Sequence, residues 1–301
     1  MKLPTFLIIG AQKAGTTTLY RDLLSQPGVF FPYHKEPTNL AHDHVRTERG
    51  LAEYAALYKG ANESDARGDA STGYARIPLF NDVPQRARKV LGEDIRLLYI
   101  LREPVSRIVS HHHHIASNHP CAELVDDFIH EEDQHALTFS RYAFQLEAWL
   151  EEFPLENIRV LIFEEFVKDR RGTIEGLGDF LGFEPQVQKI DTEAKFNAAT
   201  NRSRDKGLMM KLRRSSAYGR IRPMLSADVR DRLRRALTPK APPPPPPPTE
   251  KTVDEILKHL EEDQRRLAEL IGRTYPIWDP DKTRQKFEER RRAHASKTAS
   301  S

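Results

Sequence analysis

Gly10-Ala11-Gln12-Lys13-Ala14-Gly15-Thr16-Thr17-Thr18 is the stretch on which the fold turns. Before it, Thr5-Phe6-Leu7-Ile8-Ile9 predicts a buried strand closed by Gly10. After it, Thr18 to Ser25 keeps apolar residues at helical spacing until Pro27-Gly28 stops the pattern. A glycine turn between strand and helix aims successive N–H groups and a helix N-terminus at one point, which makes an anion cradle. Gly10 and Gly15 have the G-x-x-x-x-G spacing of a nucleotide-binding P-loop, but Thr16 stands where that motif carries lysine. Lysine lies inside the loop instead, at Lys13, and the hydroxyls of Thr16 to Thr18 add donors.

Working outward, Pro78 to Leu91 predicts a helix stopped by Gly92, and Ile95 to Leu101 a second buried strand. That strand runs into Arg102 rather than an aspartate, so no acidic Mg²⁺ ligand follows it, and Pro104 fits the first turn of a further helix. Phe139 to Phe153 reads as an amphipathic helix, Ile158 to Phe163 as a strand, and Gly172 to Leu181 as a helix ended by Gly182. Strands alternating with helices argue for a single α/β domain, a P-loop-like parallel sheet with helices on both faces. Asn62 to Gly68 reads as a polar loop. The seven prolines Pro242 to Pro248 form extended chain, read as a surface spacer before a helix of about Thr252 to Ile271 rather than as a ligand for a proline-binding domain. The domain is set at 1–280, with the Pro-rich loop at 241–249, and the charged, Ser/Ala-rich stretch 281–301 is expected to be a disordered tail.

Composition narrows the class. Of 301 residues, 38% are hydrophobic and 30% charged, and the formal net charge is +3. The longest apolar run, Leu97 to Leu101, is far short of the roughly 20 residues a membrane span needs. No cleavage pattern follows the short apolar run after Lys2, so no secretory signal is expected. One cysteine, Cys121, excludes an internal disulfide and a thiolate metal cluster, and a cytoplasmic setting is expected. The charge is uneven: Arg202 to Lys240 carries 13 basic and 3 acidic residues, a net of +10, which leaves −7 on the rest. A basic stretch on an acidic body points to an anionic partner or to a solvated, Arg-rich helical face.

Two motifs carry a resemblance. Gly-x-x-Lys-x-Gly-Thr-Thr after an N-terminal strand resembles the 5′-phosphosulfate loop of sulfotransferases that use 3′-phosphoadenylyl sulfate (PAPS). Leu98-Tyr99-Ile100-Leu101-Arg102-Glu103-Pro104-Val105-Ser106-Arg107, with Ser110 beyond, resembles the strand-loop-helix element whose arginine and serine bind the 3′-phosphate in that family. The likeness is closest to the heparan-sulfate-type and bacterial branch. Lys35-Glu36-Pro37 falls where that branch carries its catalytic glutamate, and Gly50-Leu51-x-x-Tyr54 resembles a following helix motif. Asp69-Ala70-Ser71-Thr72-Gly73-Tyr74 looks like a degenerate Glu-Lys-Ser/Thr-Pro-x-Tyr element, and Leu267 to Trp278, with Leu270-Ile271-Gly272-Arg273, like the branch's terminal segment. Ala70 departs from the pattern, because relatives often have lysine there.

The resemblance implies PAPS as co-substrate and no metal. Gln12, Lys13, Ala14, Gly15, Thr16, Thr17 and Thr18 would hold the phosphosulfate, and Arg102 and Ser110 the 3′-phosphate. Arg202, within Asn197 to Arg204, is the nearest candidate for a C-terminal phosphate contact. Lys13 would stabilise the leaving group and Glu36 would be the base, with His34 in reserve. His42-x-His44 lacks an identifiable third ligand, and His111 to His114 spread around a helix, so neither pattern is read as a metal site. The implied acceptor is a carbohydrate, lipid or small metabolite, with no nucleic-acid partner expected. The alternatives are a P-loop kinase-like enzyme, disfavoured by the lysine position, and a non-enzymatic anion- or nucleic-acid-binding protein, which leaves both phosphate motifs unexplained.

Overall fold

The computed structural model describes residues 1–117, 121–193 and 245–298. Five strands, β1 (Phe6–Gly10), β2 (Val29–Phe30), β3 (Ala66–Asp69), β4 (Arg96–Leu101) and β5 (Ile158–Ile162), form one sheet in the order β2-β3-β1-β4-β5. Every neighbouring pair is parallel. The alternation of side chains divides the core. Leu7 and Ile9 join Leu97, Tyr99 and Leu101 on one face. Phe6 and Ile8 join Leu98 and Ile100 on the other. Both faces are covered, as an all-parallel sheet requires.

On the first face lie α2 (Glu48–Ala56), α3 (Val83–Leu91) and α6 (Tyr142–Leu150), with the end of α10 (Glu250–Leu270). On the second lie α1 (Thr16–Leu24), α7 (Phe163–Lys168), α8 (Arg170–Glu175) and α9 (Gly178–Leu181). A third cluster joins α4 (Pro104–Ala116) and α5 (Val125–Phe128) to α10 and to α11 (Pro280–Thr298). Among the described residues no helix is long and apolar enough to cross a membrane.

The single parallel α/β domain expected from the sequence is the one observed, and its elements differ in instructive places. β3 lies within and beyond the stretch read as a polar loop, because Ala-Arg-Gly-Asp carries almost no apolar signal. It forms through backbone pairing, and Gly68 is needed there: a Cβ would sit 2.3 Å from the Phe31 ring and 2.5 Å from that of Phe6. The helix expected from Pro78 begins only at Val83, and the one expected over Gly172 to Leu181 is two short pieces, α8 and α9. The stretch read as a disordered tail is helical through residue 298, anchored by Phe287, which is fully buried. Pro245 to Pro248 lead without regular structure into Thr249, whose side chain caps α10.

The helix that follows the glycine loop is fixed by a buried ion pair. Arg170 on α8 binds Asp22 on α1 bidentately, Nε to Oδ2 at 2.8 Å and Nη2 to Oδ1 at 2.5 Å, with both side chains almost fully buried. Removing one partner strands the other charge in the core. Arg170→Ala is expected to lower unfolding free energy by about 3–5 kcal/mol in urea titration. A loss below about 1 kcal/mol, the value of an exposed pair, would show that this one is solvated.

Candidate active site

The loop at the end of β1 is shaped by backbone geometry that the sequence announces. Lys13 has φ 73° and Gly15 φ 95°, two left-handed residues that bend the chain back over the start of α1. At Gly15 any side chain is excluded, since a Cβ would lie 2.4 Å from the Phe163 ring. No side chain caps α1; the Thr18 amide donates to the Gly15 carbonyl at 2.9 Å, and those of Thr16 and Thr17 are open to a ligand or to water. Ala14 and Thr16 are buried, while Gln12, Lys13, Thr17 and Thr18 are half-buried around them. The Gln12 Oε1 is buried without a hydrogen-bond partner.

β1 and β4 are adjacent and parallel, so the loop and Arg102 emerge side by side at the carboxyl edge of the sheet, where α/β sheets bind ligands. The two motifs touch: Arg102 Nη1 donates to the Lys13 carbonyl at 3.2 Å, and its guanidinium packs over the Phe163 ring at 5.0 Å. Burial lowers the Arg102 pKa, and the carboxylates of Glu164 and Glu103 oppose that shift. Glu103 caps α4 by accepting from the amides of Val105 and Ser106 at 2.7 and 2.9 Å. Ser110 is half-buried one turn beyond Ser106 on the same face of α4.

The terminal motif braces this element. Tyr142 donates its hydroxyl to the Arg102 carbonyl at 2.7 Å, and the Trp278 ring lies 5.9 Å from that of Tyr142. Trp278 Nε1 donates to Glu164 Oε2 at 2.9 Å, whose Oε1 accepts from the Glu103 amide at 3.1 Å. Arg273 holds the neighbouring Glu165 through both guanidinium nitrogens.

Glu36 sits on the loop after β2 with φ 61° and an exposed side chain. It accepts from Lys35 Nζ at 2.9 Å and from Thr72 Oγ1 at 3.3 Å. The degenerate motif supports this loop. Asp69, fully buried, accepts from Tyr54, Tyr74 and Ser71 hydroxyls at 2.7, 2.7 and 2.6 Å. Ser71 Oγ in turn accepts from the Thr38 amide at 3.1 Å, and Tyr74 from the Leu40 amide at 3.3 Å. Burial raises the Asp69 pKa, its three hydroxyl donors oppose this, and the Glu36 charge adds to it.

Sequence reasoning missed Arg76. Its guanidinium lies over Phe139 at 4.8 Å and Phe80 at 5.9 Å, and its buried Nε has no hydrogen-bond partner. Burial lowers its pKa, and the Glu36 charge opposes that shift. A guanidinium packed against rings, with a buried N–H left without an acceptor, has the chemistry to receive an anion. An arginine two residues beyond a tyrosine motif carries no signal by itself, and only the fold brings it here.

His111 lies behind this cluster, against Phe128 and Phe139. Its pKa is lowered to about 2, chiefly by burial and then by the charges of Arg107, Arg76, His114 and Lys13. The imidazole is therefore neutral in the folded protein, whereas the unfolded chain takes up a proton below the ordinary value of 6.5. This contribution to stability is complete above that value and is lost progressively as pH falls below it, by up to about 1.4 kcal/mol per pH unit. His111→Phe is expected to flatten the acid-side slope in urea unfolding between pH 7 and 4.5. An unchanged slope would show that His111 is not buried neutral.

Other candidates separate. His34 is exposed, its ring edge-on to Tyr33 at 5.0 Å. His44 pairs with Glu53 at 2.9 Å, and among the described residues no group of three or more His, Cys, Asp or Glu is placed to hold a metal. Arg202, the Asn197 to Arg204 loop, the basic segment and Pro242 to Pro244 lie outside the described residues.

Comparison with known proteins decides the family. The sequence model described as "Sulfotransferase domain" matches residues 3–240. The chain belongs to the sulfotransferase family. Mouse heparan sulfate glucosamine 3-O-sulfotransferase 3A1 is 27% identical over 218 residues, covering 65% of this chain and 49% of the relative. Human heparan sulfate glucosamine 3-O-sulfotransferase 3B1 is 24% identical over 253 residues, 79% of this chain and 61% of the relative. The chain thus spans about half to three-fifths of the length of these relatives. The crystal structure of a sulfotransferase from Alicyclobacillus acidocaldarius shares the fold, with a TM-score of 0.63 at 22% identity over 92% of this chain and 99% of that one. The family that the two loops resemble in sequence is thereby shown.

Proposed function

We propose that this sulfotransferase moves the sulfuryl group of PAPS to a hydroxyl or amine of a carbohydrate, lipid or small-metabolite acceptor and releases 3′,5′-ADP. The observation that carries the reading is the junction of two anion-binding elements, Arg102 on the Lys13 carbonyl at 3.2 Å. A donor with phosphate at both ends of its ribose suits such a pair. The residues present fit the ligand: uncapped amides of α1 and the Thr16 to Thr18 hydroxyls for the 5′ end, Arg102 and Ser110 for the 3′ end.

PAPS supplies the sulfuryl group itself, so positioning and charge stabilisation are left to the protein, by analogy with phosphoryl transfer. Lys13 and the loop amides stabilise the negative charge on the leaving oxygen. Glu36 takes the acceptor proton, oriented by Lys35 and Thr72. Arg76 supplies a second cation beside Glu36, where Ala70 offers none. The single cysteine supports a reducing, cytoplasmic setting.

The test is transfer of labelled sulfuryl from PAPS into a host-cell extract, with the product found by mass spectrometry. The expected result is one labelled acceptor class together with stoichiometric 3′,5′-ADP. Incubation that yields neither product nor 3′,5′-ADP in any extract would overturn the reading.

A further inference from the structure

The family match ends at residue 240, and α11 lies beyond it. This helix is firmly docked. Phe287 is fully buried with Val105 and Ile108 of α4, and Thr283, one turn earlier, is 4% exposed. Arg284 pairs with Asp254 of α10 at 2.7 Å, and Arg291 donates to the Pro248 carbonyl at 3.0 Å. Between these anchors, Lys286 Nζ donates to Ser106 Oγ at 2.7 Å and lies 3.8 Å from Glu103 Oε2. α11 therefore crosses the first turn of α4, on the face that carries Ser106 and, one turn on, Ser110.

Arg290 is one turn beyond Lys286 and projects from the same side of α11. Its guanidinium is exposed, packs over the Phe287 ring at 5.1 Å, and has no ion-pair partner among the described residues. Burial is the main cause of the lowered Arg102 pKa, and the Arg290 charge adds to it. Arg102 thus stands just before the serine-bearing helix and Arg290 on the helix docked across its first turn, while Lys286 offsets the carboxylate that caps it. Like charges brought together this way repel until an anion lies between them.

We propose that α11 completes the 3′-phosphate site, with Arg290 binding the phosphate opposite Arg102 and Lys286 screening it from Glu103. The inference rests on the PAPS reading above. Phosphate is a dianion that two planar forks can grip from opposite sides, so Arg290 discriminates nucleotides bearing a 3′-phosphate from those without it.

The test measures binding of 3′,5′-ADP and of 5′-AMP to wild-type protein and to Arg290→Gln by calorimetry. Arg290→Gln is expected to weaken 3′,5′-ADP roughly tenfold or more, the scale of a charged hydrogen bond, and to leave 5′-AMP unchanged. Because Arg290 is exposed, the ligand-free melting temperature should not move, and Arg290→Lys should recover part of the loss. Wild-type protein that prefers 3′,5′-ADP while Arg290→Gln keeps the same preference overturns the α11 inference alone. Equal weakening of both nucleotides overturns it as well, since that reports a general disturbance of the pocket. Wild-type protein that binds neither overturns the PAPS reading, and this inference with it.

Discussion

Lys13→Ala is expected to lower the rate of sulfuryl transfer by about 10²–10³-fold, the effect of deleting one preorganised group that stabilises developing charge. The fold should survive, because Lys13 is half-buried on a loop and its structural contribution includes the carbonyl that receives Arg102. Alanine keeps that carbonyl. It also keeps a side chain at φ 73°, so no relief of backbone strain confuses the comparison. Steady-state kinetics with saturating PAPS would check this against far-UV circular dichroism of the same preparations. A Lys13→Ala enzyme within about threefold of wild type would remove Lys13 from the chemistry, since such a change is worth less than 1 kcal/mol.

Glu36→Gln is expected to lower turnover by about 10²–10⁴-fold, the usual contribution of a positioned general base. Glutamine retains an acceptor for Thr72 and a similar shape, so the loop held by Ser71 and Tyr74 should stay in place. Affinity for 3′,5′-ADP should not change, because Glu36 stands on the loop after β2 and not on the phosphate loops. The pairing of lost turnover with intact nucleotide affinity separates a base from a binding residue. Near-wild-type turnover by Glu36→Gln would assign the proton to another group, with His34, two residues away and exposed, the first to be substituted.

Much of this was legible in the sequence because it depends on local rules. A strand, a glycine turn and a helix N-terminus were predicted from Thr5 to Ser25, and the loop from Gly10 to Thr18 is built that way. Arg102 was readable from its place after an apolar strand and before Pro104. What remained hidden depends on contacts across long stretches of chain. β3 has too few apolar residues to show a period, and it exists because β1 and β2 offer edges for it. Arg76 acquires meaning only where Phe80 and Phe139 enclose it. The terminal stretch misled because its charged surface dominates its composition, whereas a single buried aromatic, Phe287, together with the Arg284–Asp254 ion pair to α10, fixes it as a helix.

On the PAPS reading, the opposite charges of body and basic segment are more telling than the net +3, and the two proposed phosphate loops rely on few fixed charges. Lys13 and Arg102 are supplemented by backbone amides and hydroxyls, a donor set suited to a phosphosulfate and deficient in the lysine that a γ-phosphate-transferring loop places after its second glycine.

The most direct measurement is thermal unfolding with 3′,5′-ADP, ATP or single-stranded DNA present in turn. At about 100 times its Kd, 3′,5′-ADP should add about 2.7 kcal/mol to the folded state and raise Tm by several degrees. ATP and DNA should leave it nearly unchanged. Stabilisation by ATP without stabilisation by 3′,5′-ADP would contradict the assignment of the two loops to PAPS.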